Sequence, residues 1–277
     1  MIHRCVQVCL ALATLLTLFP ARAEVLTFKS EVLPTDLTAS LSGTLSFPPG
    51  SGPFPVVLLL HPCGGLERFG LATLQAHAKN LQSVGFGSFI LDSYGPRKLN
   101  GGKACEQRTA SFRRDDAYNA LPALQQHPKV SKENIFVLGL SDGGVAALVI
   151  AKGGGASGGR FSAVAAFYPG CNPLTGIDYK IRSPTLVFVA GKDDWTPPGD
   201  CIAAKSKKLV TGAEFDVIEY PNAHHGFDQQ RQTIRYKGHT LAYSQEATKD
   251  SRKRVRDFFV RHLTDEFKAK IPASLSR

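Results

Sequence analysis

The stretch from Ile135 to Ile150 (IFVLGLSDGGVAALVI) constrains the fold more than any other. Its first four residues are apolar, β-branched or aromatic, which suits a buried strand. Its last six are small or aliphatic and suit a buried helix. Between them lies Gly139-Leu140-Ser141-Asp142-Gly143, a G-x-S-x-G pattern. A strand passes directly into a helix only through a very tight turn. A Cβ two positions before or after its centre would strike the neighbouring backbone. Such a turn lifts the Ser141 hydroxyl off the carboxyl end of a sheet. It also leaves the next backbone N–H groups at a helix N-terminus, where negative charge is stabilised. A Gly-rich turn with an incidental serine would read the same in isolation, so the surrounding chain must decide.

The chain supplies the matching alternation. Glu24 to Leu33 and Leu37 to Phe47 alternate apolar and polar residues, as two antiparallel edge strands joined at Pro34-Thr35-Asp36. Pro55 to His61 is a continuous apolar run, the mark of a strand buried on both faces of a parallel sheet. Leu66 to Val84 has helical periodicity, and Phe86 to Leu91 is the next buried strand. Ser111 to Gln126 reads as a helix with Arg113, Arg114, Asp115 and Asp116 on its outer face. After the central stretch, Phe161 to Tyr168, Pro184 to Ala190 and Glu214 to Tyr220 read as strands, with a helix over Asp200 to Thr211. A polar loop reaches about Tyr243, and a basic amphipathic helix closes the chain. Strands alternating with helices predict one α/β domain with a mostly parallel sheet and helices on both faces.

The N-terminus carries Arg4, then a mostly apolar stretch from Cys5 to Phe19, then Ala21-Arg22-Ala23. This is the pattern of a secretory signal peptide over residues 1–23, cut before Glu24. The expected mature chain, residues 24–277, keeps Cys63, Cys105, Cys171 and Cys201. An even number of cysteines in an exported protein points to two disulfides, with three pairings open. No two of them stand at zinc-ligand spacing, so no metal is expected. Net charge is +10 and falls to +8 without Arg4 and Arg22. Much of the excess lies between Lys249 and Lys270, without the aromatic interleaving or binding module that nucleic acid would call for, and reads as a solvated helix face. No later run is apolar enough to span a membrane, and nothing in the sequence sets an oligomeric state.

In parallel sheets the chemistry sits at the carboxyl ends of the strands. A neutral serine needs a base within hydrogen-bond reach, and the base needs a buried carboxylate. His224 and His225 follow the last strand, and Asp193 and Asp194 follow the one before it. Ser141, an aspartate and a histidine therefore stand in the chain order of α/β-hydrolases.

At these residues the chain resembles the dienelactone hydrolase family of α/β-hydrolases, over roughly residues 25–265. The resemblance rests on His61-Pro62-Cys63-Gly64-Gly65, Asp92-Ser93-Tyr94-Gly95-Pro96-Arg97, Gly139-Leu140-Ser141-Asp142-Gly143-Gly144, Tyr168-Pro169-Gly170-Cys171, Asp193-Asp194-Trp195-Thr196-Pro197 and Ala223-His224-His225-Gly226-Phe227. The family's acid stands four positions before a proline, which favours Asp193 over Asp194, although the segment is one residue short between Gly191 and Asp193. The family's histidine directly precedes Gly-Phe, which favours His225 over His224. The best-known members use a cysteine nucleophile poised by a glutamate from the loop after the strand at 55–61. Here serine stands at the nucleophile position and Cys63 in that loop, so the resemblance implies a serine esterase rather than a specialised dienelactone enzyme.

The expected activity is hydrolysis of a small carboxylic ester or lactone through an acyl-enzyme, with no cofactor, in the periplasm or medium of a bacterium. The oxyanion would be held by the backbone N–H groups of Cys63 and Asp142. Tyr94, Arg97, Trp195 and Phe227 are candidate pocket walls. In an exported chain we favour Cys63–Cys105, pinning the loop after Asp92 over the site, and Cys171–Cys201, pinning the loops around Asp193. The rival functions are a peptidase of the same fold, which usually carries an additional domain that this chain is too short to hold, and a binding protein with a silent site.

Overall fold

The computed structural model describes residues 23–32, 37–67, 69–99, 104–106, 109–154, 159–175 and 179–269. Residues 1–22 of the expected signal peptide and the Pro34-Thr35-Asp36 connection lie outside the described residues. An eight-stranded sheet runs in the order β1-β2-β4-β3-β5-β6-β8-β10. Its strands are β1 (Glu24–Ser30), β2 (Ala39–Ser46), β3 (Phe54–Leu60), β4 (Gly87–Asp92), β5 (Val130–Leu140), β6 (Val164–Phe167), β8 (Thr185–Ala190) and β10 (Phe215–Tyr220). β2 pairs antiparallel with both β1 and β4, and every other pairing is parallel.

β3 shows why the sheet takes helices on both faces. Alternate side chains of a strand point to opposite sides. Val56, Leu58 and Leu60 enter one core with α2 (Ala110–Gln126) and α3 (Asp142–Ala151). Val57 and Leu59 enter the other with α1 (Phe69–Gln82) and α5 (Gln245–Arg261). Each fully buried aliphatic side chain contributes about 1.5–3 kcal/mol, so neither face can be left open.

Four expectations are corrected. Arg113 and Asp116 do not lie on the outer face of α2: three residues apart, they share its inner face and are fully buried. Only Arg114 and Asp115 reach the surface, 33% and 18% exposed. The helix expected over 200–211 is α4 (Gly199–Ser206), which stops where Lys208 adopts a left-handed φ of 52°. The chain then forms β9 (Val210–Gly212), parallel to β7 (Tyr179–Ile181). The polar loop before Tyr243 contains a hairpin, β11 (Ile234–Tyr236) and β12 (His239–Leu241). Its two-residue turn has positive φ at both Lys237 (49°) and Gly238 (84°), the backbone sense that matches strand twist. Finally, the closing helix does not run on to Lys270: α5, whose Ala247 N–H is capped by the Ser244 side chain, ends at Arg261, and a separate α6 (Asp265–Lys268) follows. Among the described residues no helix is long and apolar enough to cross a membrane.

Candidate active site

The turn between β5 and α3 holds Ser141 at φ 55° and ψ −116°, a strained conformation for a residue with a side chain. Two glycines make it possible. A Cβ on Gly143 would stand 2.5 Å from the carbonyl oxygens of Leu60 and His61, and one on Gly139 would overlap the Gly143 carbonyl. Ser141 is thereby placed at the carboxyl edge of the sheet, 7% exposed. Asp142 opens α3, so its N–H is among the donors that a helix leaves without an internal partner.

Ser141 Oγ lies 2.9 Å from His225 Nε2, and His225 Nδ1 lies 2.8 Å from Asp193 Oδ2. All three side chains are buried. A carboxylate only accepts, so Nδ1 carries the proton and the Nε2 lone pair faces the serine. Asp193 sits in the turn after β8, where its Oδ1 accepts the N–H groups of Trp195 (2.9 Å) and Thr196 (2.8 Å). The Thr196 hydroxyl lies 2.8 Å from Asp193 Oδ2, 3.1 Å from His225 Nδ1 and 3.1 Å from the Tyr168 carbonyl. Burial acts to raise the Asp193 carboxyl, but His225 and Thr196 outweigh it and hold it below the usual carboxylate value. The imidazole lies between Tyr168, edge-on at 4.9 Å, and Trp195 at 5.2 Å.

Asp194 points elsewhere and accepts the Thr240 N–H at 2.9 Å. Among the described residues, His224 makes no hydrogen bond to Ser141 or to either aspartate. The loop after His225 is anchored by Asp228, whose carboxylate meets Tyr168 Oη at 2.7 Å and His77 Nε2 at 2.6 Å. Burial, with the Asp228 charge added, keeps the Tyr168 hydroxyl well above the ordinary tyrosine value.

Ser141 and His225 open into a cleft of about 260 Å³. Both disulfides form, Cys63–Cys105 and Cys171–Cys201. The first lines the cleft. The second is buried and ties the turn Asn172–Thr175 to α4. Of the four expected walls, Trp195 lines the cleft and the other three do not. Phe227 is fully buried against Phe167, Tyr168 and Tyr220. Tyr94, 2% exposed, bonds through its hydroxyl to Thr109 and the Asp142 carboxylate. Arg97 pairs with Asp116 through both terminal nitrogens, at 2.8 and 2.7 Å, and reaches the Leu37 carbonyl. The walls that sequence reasoning missed include Phe69, Arg231 and the hairpin residues Ile234, Tyr236 and Leu241. The Lys237-Gly238 pair between Ile-Arg-Tyr and His-Thr-Leu was their available signal.

The family model for the dienelactone hydrolase family matches residues 41–263. Among solved structures, a dienelactone hydrolase-like promiscuous phosphotriesterase from metagenomic libraries superposes with a TM-score of 0.66 at 19% identity, covering 88% of this chain and 99% of that one. A dienelactone hydrolase from Anabaena variabilis gives 0.62 at 17% identity, with 87% and 99% covered. An α/β serine hydrolase without a lid from Xanthomonas campestris gives 0.58 at 16% identity, with 92% and 98% covered. At these identities the structures establish the fold. No curated protein matches the sequence. The chain belongs to the dienelactone hydrolase family.

Proposed function

We propose that this protein is an exported serine hydrolase that cleaves small carboxylic esters or lactones through an acyl-enzyme. The observation that carries it is the buried, hydrogen-bonded chain from Ser141 through His225 to Asp193, with Ser141 and His225 lining the cleft. His225 Nε2 takes the Ser141 proton as Oγ attacks the ester carbonyl. Asp193 keeps the imidazole in the tautomer that can do so and stabilises the imidazolium. The tetrahedral oxyanion is held by the N–H groups of Asp142 and Cys63, each such donor being worth about 3–4 kcal/mol of transition-state stabilisation. His225 then returns its proton to the leaving alcohol. Water, deprotonated by the same histidine, releases the acid and regenerates Ser141.

The cleft suits a small ester better than an extended peptide, which disfavours a peptidase. Export is supported by the two formed disulfides, which an oxidising compartment preserves. The test is hydrolysis of short and long p-nitrophenyl esters by wild type and Ser141→Ala. Turnover that falls by about 10⁶-fold in the mutant supports the proposal. Turnover that survives in Ser141→Ala, or a folded wild type inert to esters and lactones, overturns it. A mature N-terminus at Glu24 in protein recovered from the periplasm or medium would support the export step.

A further inference from the structure

Arg113 is fully buried on α2, and two of its nitrogens reach two different segments. Nη1 donates to Asp142 Oδ2 at 2.6 Å, and Nη2 donates to the His61 carbonyl at 2.6 Å. Asp142 directly follows Ser141. His61 ends the run of β3 and leads through Pro62 into Cys63. The Cys63 segment is itself tightly wound: the Pro62 carbonyl accepts the Gly65 N–H at 3.0 Å and faces His61 Nδ1 at 2.8 Å. Asp142 Oδ2 is held further by the hydroxyls of Thr109 and Tyr94, and the Tyr94 ring lies 5.2 Å from the guanidinium.

We infer that Arg113 is a positioning residue for the oxyanion hole: its planar guanidinium spans the two segments carrying the donor N–H groups and fixes the gap between them. This rests on the hydrolase reading above and deepens it. The span is of a kind only arginine provides, because its N–H groups form a rigid fork whereas a lysine ammonium is a single point of charge. Stability alone gives little reason for such a group. Buried ion pairs replaced by well-packed apolar residues are often neutral or more stable, because desolvation offsets the Coulombic gain. A second buried pair, joining Asp116 of the same helix to Arg97 in the turn after β4, provides the control, since it meets neither Asp142 nor His61.

The experiment compares Arg113→Lys with Arg97→Lys by thermal melting, by kcat and KM on a p-nitrophenyl ester, and by inhibition with an aryl trifluoromethyl ketone. The serine adds to this ketone to give a tetrahedral oxyanion. A displacement of about 1 Å costs on the order of 10²-fold in rate, so Arg113→Lys is expected to lose about that factor in kcat. KM should stay near wild type, and ketone affinity should weaken in step with kcat. Arg97→Lys should melt as early or earlier and keep its kcat. If Arg113→Lys does not fold, Asp142→Asn, which retains the backbone donor and the side-chain shape, should show the same pattern to a smaller degree.

The inference is overturned if the folded variant keeps wild-type kcat, if its loss only matches that of Arg97→Lys, or if kcat falls while ketone affinity holds. A wild type inert to esters and ketone alike removes the hydrolase reading itself. An active wild type beside an unimpaired Arg113 variant removes only this inference.

Discussion

The floor and the roof of the cleft are joined at two adjacent aspartates that face opposite ways. The Asp193 side chain is 1% exposed and tied to His225, Trp195 and Thr196. That of Asp194 is 45% exposed and holds the hairpin through the Thr240 N–H, with His239 Nδ1 on its carbonyl. The floor is over-determined: backbone, hydroxyl and ring contacts all fix His225. The roof rests on Asp194, on a bridge between His225 and Leu241, and on the Trp195 ring stacked 5.0 Å from His239. Burial thus fixes the chemistry, while the exposed hairpin shapes what reaches it.

The largest expected effect comes from exchanging the two roles. Asp193→Asn leaves the geometry nearly intact but supports the wrong histidine tautomer, and should lower kcat by about 10³–10⁴-fold. Asp194→Asn should leave kcat near wild type and shift KM. Equal losses on one ester assay would break the division between floor and roof.

The two disulfides sharpen it. They close stretches of 42 and 30 residues, so the chain-entropy model assigns each a similar stabilisation of about 3–4 kcal/mol. At about 2–4 °C per kcal/mol for a chain of this size, both Cys→Ser double variants should melt roughly 10 °C early. Only the Cys63/Cys105 variant should also lose turnover below its melting point. Equal activity in the two would show that the rim bond does not shape the site.

A smaller effect lies in pH. The folded Asp193 carboxyl is held below its ordinary value, so its stabilisation is full above that value and disappears as pH falls through the lowered one. The Tm gap between wild type and Asp193→Asn should therefore be widest near neutrality and narrow below about pH 4. A gap that widens in acid would contradict the assignment. Smallest of all is Gly238→Val. A Cβ there meets nothing within 4 Å, so only the φ of 84° opposes it, at a cost of about 1–2 kcal/mol. The expected reading is a changed KM with kcat nearly preserved and a Tm lowered by about 2–8 °C.

These elements also mark what the sequence could disclose. The buried strands were plain because parallel pairing makes both faces apolar, as in Val56 to Leu60. The Ser141 turn was plain because its glycines answer to backbone clashes close by. The choice between Asp193 and Asp194 was not, because both follow β8 and only the packing of His225 separates them; family resemblance, not residue pattern, favoured Asp193. The hairpin was hidden because its strands are three residues long and mostly polar. Arg113 and Asp116 were hidden because charges on a helix ordinarily face water. Their burial depends on Asp142 and Arg97, each some 20 to 30 positions away, which no local pattern reports.

The hairpin closes on itself through Lys237-Gly238 and meets the body through Asp194, Trp195, His225 and an exposed Lys237–Glu106 ion pair. It is thus a replaceable cassette. Length and side chains between Ile234 and Leu241 can be varied without touching a strand of the main sheet, so mutations that redirect substrate choice draw little on the stability of the core. A library confined to those eight positions would search substrates while the hydrolytic machinery stayed constant.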